Sequence, residues 1–81
     1  MHNRSYPFPL PMDLPAWQLP MLMRKIRESF AGELWKEMPY NFINMLEEAI
    51  QYRHHLHVDQ KMLDSLPDPV WDRLKILFGI P

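Results

Sequence analysis

Nine prolines govern what this chain can fold into, because they are spread unevenly along its 81 residues. Five stand at positions 7, 9, 11, 15 and 20, and the rest at 39, 67, 69 and 81. Proline lacks a backbone N–H and clashes with the preceding turn, so it opens or closes a helix and stays out of its interior. The spacing predicts a non-helical N-terminal arm over 1–19 and a helical bundle over 20–81. Eleven Leu and seven Met stand against two Val, five Ile and no Thr, which favours helix over strand. The expected fold is all-α: a small three- to four-helix bundle with an extended, Pro-rich N-terminal arm.

Within the arm, Tyr6, Phe8, Leu10 and Met12 alternate with prolines. Residues before proline are driven towards β or polyproline II geometry, so 6–11 is expected to be extended. The strip is too apolar for a solvated linker. It must either lie across the chain's own helices or dock in a groove of another chain. The P-x-x-P spacing of SH3 ligands is absent. Residues 2–5 are polar and expected to fray.

The helices are expected at about 20–37, 39–57, 60–66 and 69–78. In the first, Leu19, Leu22, Met23, Ile26, Phe30 and Leu34 form one stripe on a helical wheel. Trp35 falls on the opposite side with Met21 near it, an apolar back face that the arm or a partner must cover. Gly32 would sit inside this helix at a cost of about 1 kcal/mol relative to Ala. The second helix carries a broad apolar face through Phe42, Met45, Leu46, Ala49 and Ile50. Its basic end, Arg53 to His57, suits a helix C-terminus. Asp59 and Asp68 read as N-caps, and Gly79 followed by Pro81 reads as a stop.

Charge and motif content narrow the function. Nine Lys+Arg against ten Asp+Glu give a net charge of −1, without the basic surplus of a nucleic-acid binder. The 60–66 and 69–78 pair has a superficial helix–turn–helix spacing, but its second helix offers Asp68, Asp72, Arg73 and Lys75 beside a large apolar face, a poor set for base edges. With no cysteine there is no disulfide framework or thiolate site. Apolar runs reach only three residues, too short to span a membrane. The start of the chain does not read as a signal peptide, so the expected location is cytoplasmic. Two isolated glycines cannot form a P-loop or dinucleotide fingerprint, and none of Ser5, Ser29 and Ser65 lies in a nucleophile elbow. No catalytic residue, cofactor or small-molecule substrate is indicated, and the chain reads as a non-enzyme.

His54 and His57 are the weak metal candidates, three apart on one side of the expected helix, where zinc sites more often use four and need a third ligand. A solvated helix C-terminus is the leading explanation of them, and a pH-responsive contact is the further alternative.

Ten aromatics and seven methionines exceed what so small a bundle readily hides, and both types are enriched at interfaces. The function expected is a protein–protein interaction module, whether adaptor, complex subunit or inhibitor. Tyr6, Phe8, Leu10, Trp17, Met21 and Trp35 are its expected partner-binding anchors. The alternatives are a self-associating homodimer, a small DNA-binding regulator and a His-centred metal or pH-responsive site.

Overall fold

A computed structural model describes Tyr6 and residues 8–78. The expected fraying of 2–5 and the expected stop at Gly79 lie outside those residues. The described chain is mostly helical, with five helices and a small two-stranded sheet. The order is β1 (Met12–Leu14), a 3-10 turn (Ala16–Gln18), α1 (Leu19–Ser29), α2 (Glu33–Lys36), α3 (Tyr40–Tyr52), β2 (Leu56–Val58), α4 (Gln60–Asp64) and α5 (Asp68–Phe78).

Three expectations need correction. The first helix does not run from 20 to 37: it begins at Leu19 and ends at Ser29, and Glu33–Lys36 is a separate single turn. Phe30 leaves helical geometry (φ −107°, ψ 89°), which lets its ring enter the core at 2% exposure. Gly32 then takes φ 63°, ψ −129°, a left-handed conformation that other residues reach only with strain. Gly32 is therefore a hinge between helices, not a tolerated interior residue. Arg73 closes the end of α1, its guanidinium donating to the Ser29 carbonyl at 2.7 Å.

The second helix stops at Tyr52, not 57. Arg53 adopts a left-handed conformation (φ 56°, ψ 43°). Its N–H donates to the Ile50 carbonyl at 3.3 Å and the His54 N–H to Ala49 at 3.1 Å. That pair of bonds is a Schellman stop, usually built on glycine.

The chain is also not purely α. Beyond Arg53 it forms β2, antiparallel to β1, with Met12 opposite Val58, Asp13 opposite His57 and Leu14 opposite Leu56. Leu56 and Val58 point inward and His57 outward, the alternation a half-buried strand requires. Pro11 and Pro15 bracket β1 and supply no N–H, which holds it to three residues.

The expected helix starts hold more closely. Pro20 stands in the first turn of α1, and Pro39 directly precedes α3. Asp59 caps α4 by accepting the Met62 N–H at 2.8 Å. The last helix starts one residue early, at Asp68, with the Pro67 carbonyl accepting the Trp71 N–H at 2.9 Å.

The core lies between α1, α3 and α5, where Leu19, Ile26, Leu46, Val70 and Leu74 have no exposed surface. Leu63 of α4 and Val58 of β2 complete it, while α2 contributes nothing buried. Tyr6, Phe8, Leu10, Met12 and Leu14 pack against this core while half-exposed themselves. The Tyr6 ring meets Trp71 edge-on at 5.2 Å, and Phe8 meets Phe78 at 6.1 Å. The Tyr6 hydroxyl donates to Asp64. A radius of gyration of 12.1 Å matches the roughly 12 Å of a folded chain this long, so the segment from Tyr6 onward lies against the body.

Candidate functional site

Pro15 ends β1 and turns the chain into the single 3-10 turn, in which the Gln18 N–H bonds the Pro15 carbonyl at 3.0 Å. That turn faces Trp17 away from the core, whereas Leu19, two residues on, is fully buried. Trp17 is 73% exposed, and Met21, one helical turn further, is 40% exposed.

Beside this turn α5 runs back along α1. Arg73 reaches Ser29 at one end, and Phe78 lies near Leu22 at the other. The two helices and β1 line a small open cleft of about 40 Å³. Leu14, Leu22, Leu77 and Phe78 make its apolar surface, Met21 its outer wall, and Gln18 and Lys25 its polar contribution. The lining is largely apolar with a few polar groups.

The six expected anchors separate into three groups. Tyr6, Phe8 and Leu10 are half-buried on the chain's own core. Met21 lines the cleft, and Trp17 precedes the cleft-lining Gln18 without lining it itself. Trp35 stands apart on α2, 36% exposed, beside a shallow depression that includes Arg27, Phe30 and Lys36. Gln18 and Lys25 went unnoticed in the sequence, because the cleft joins residues near 20 to residues near 77 and no local spacing reports it. Ile76 was missed too, although the helical wheel places it opposite Leu74, and it is exposed.

The histidines do not share a helical side, because they follow the end of α3. His54 donates through Nδ1 to the His55 carbonyl at 2.9 Å. His57 faces Asp13 across the ribbon, Nδ1 to Oδ1 at 2.8 Å, and His55 Nε2 lies 3.7 Å from the same oxygen. A carboxylate only accepts, so His57 Nδ1 carries the proton of that bond. These contacts pin β1 to β2 from the solvent side. Among the described residues no group of three or more His, Asp or Glu is placed to hold a metal ion. No polar or charged side chain among them is buried. No described helix is long and apolar enough to cross a membrane.

No family model matches the chain, and neither does any curated protein or solved structure.

Proposed function

We propose that this small helical bundle, with its Pro-rich N-terminal arm folded across it, is a non-enzymatic protein–protein interaction module. It would act in the cytoplasm as an adaptor, complex subunit or inhibitor. The observation that carries this reading is Trp17, 73% exposed on the 3-10 turn whose next residue, Gln18, lines an apolar cleft. Tryptophan is the residue type most enriched among interface hot spots, and an adjoining apolar pocket is where such anchors cluster. Phe8, Tyr6 and Leu10 contribute indirectly, by holding the body that presents Trp17.

Affinity capture from the cells that make the protein, followed by mass spectrometry, tests it. Wild-type chain should retain a partner that the Trp17→Ala, Met21→Ala double variant releases, with both proteins equally folded. Retention of the same proteins by both would reject the surface.

Self-association is the second reading, favoured by a net charge of −1, which opposes contact between copies very little. Sedimentation at several concentrations decides: a monomer throughout removes it, and a dimer abolished by the double variant establishes it.

A further inference from the structure

The cleft between α1 and α5 contains a feature that purely apolar docking leaves unused. Lys25 lines it and is half-buried, yet its ammonium has no carboxylate or other acceptor among the described residues. Lys75, the other half-buried cation among them, holds Asp72 at 3.4 Å. Arg27 and Lys36 face Glu47 and Glu33, and Arg73 has the Ser29 carbonyl. Arg24, Arg53 and Lys61 are solvated. Lys25 is thus the cation that lines the cleft with no acceptor among the described residues.

We propose that the cleft reads a peptide segment of a partner protein through two groups at once: a large apolar side chain on the Leu14, Leu22, Leu77 and Phe78 surface, and a carboxylate paired with Lys25. The Gln18 amide, on the same wall, supplies a further donor. The apolar group provides most of the affinity, and the carboxylate provides selection, because a half-buried ammonium left unpaired under a bound ligand penalises every segment that lacks an acid. This deepens the docking role proposed above and rests on it.

A phage-displayed library of random dodecapeptides, panned against the full chain, provides the test. The enriched sequences should place Asp or Glu within one helical turn of a large apolar residue. The best synthetic peptide should lose about tenfold in affinity for Lys25→Met, which keeps the aliphatic stem and removes only the charge. Lys25→Glu should reverse the preference, binding a peptide whose acid is replaced by Lys. Both variants should melt with the wild type, since the Lys25 ammonium has no partner among the described residues. Enriched apolar peptides without an acidic bias, bound equally by Lys25→Met but weakened by Trp17→Ala, would overturn the carboxylate pairing and leave the docking role intact. Failure to enrich any peptide would overturn both. So would capture of the chain by phosphatidylglycerol vesicles through Lys25 in place of a peptide, or a dimer that buries the cleft.

Discussion

Arg53 and Gly32 both hold left-handed backbone, and they do so on unequal terms. At Arg53 the Schellman hydrogen bonds require φ 56°, which a β-carbon tolerates at a cost of roughly 1 kcal/mol. Its side chain is exposed and makes no ion pair among the described residues. Arg53→Gly should therefore stabilise the fold by about 0.5–1 kcal/mol, seen as a rise of a few degrees in Tm. An unchanged or lower Tm would mean that the Arg53 side chain contributes something its surroundings do not reveal. Gly32 is the reverse case. A methyl group there would meet no atom within 4 Å, so any penalty comes from the backbone alone. Gly32→Ala should cost about 1–3 kcal/mol in thermal or urea unfolding. A neutral result would show that the α1–α2 connection can relax. The Gly32 turn was half-visible in the sequence, as a glycine costly to any helix that contained it. The Arg53 turn was invisible, because arginine carries no turn preference and the basic run around it suits a helix end equally well.

Among the elements, local signals succeeded and non-local ones failed. Proline starts are local and mark α1 and α3 well. The Asp59 cap is equally local, and its bond to the Met62 N–H is the side-chain cap at the N-terminus of α4, which is five residues long. Asp59→Ala should lower stability by about 1 kcal/mol, and amide exchange should quicken through Gln60–Asp64 before the rest of the chain. Uniform quickening instead would mean that α4 opens only with the whole fold. The stripe from Leu19 to Ile26 located the buried face of α1 correctly. The same stripe continued through Phe30 and Leu34, so periodicity concealed the break after Ser29: Phe30 reaches the core by leaving the helix, and from a helical-wheel position that continuation of the helix would also have satisfied. The β1–β2 ribbon was illegible for another reason. Its partners lie 44 residues apart at Asp13 and His57, and three-residue strands have too little alternation to declare themselves.

At the scale of the molecule, a short chain divides its surplus of apolar side chains between two uses. Part of it closes the chain's own core, since Tyr6 and Phe8 cover Trp71 and Phe78 where a bundle this small has no further helix to offer. Among the expected anchors, Trp17, Met21 and Trp35 stay outside. The sequence made all of these residues candidates by their chemistry but could not sort them, because an apolar strip looks alike whether it faces its own body or another. The cleft was illegible altogether, being assembled from two ends of the fold.

Thermal unfolding of Phe8→Ala beside Trp17→Ala tests this division most directly. Phe8→Ala should lose about 2 kcal/mol or more, a fall in Tm on the order of 10 °C, because it removes a ring packed edge-on against Trp71 and Phe78. Trp17→Ala should stay within about 0.5 kcal/mol of wild type, since that side chain stands clear of the core. The opposite pattern, a stable Phe8→Ala and an unfolding Trp17→Ala, would contradict it.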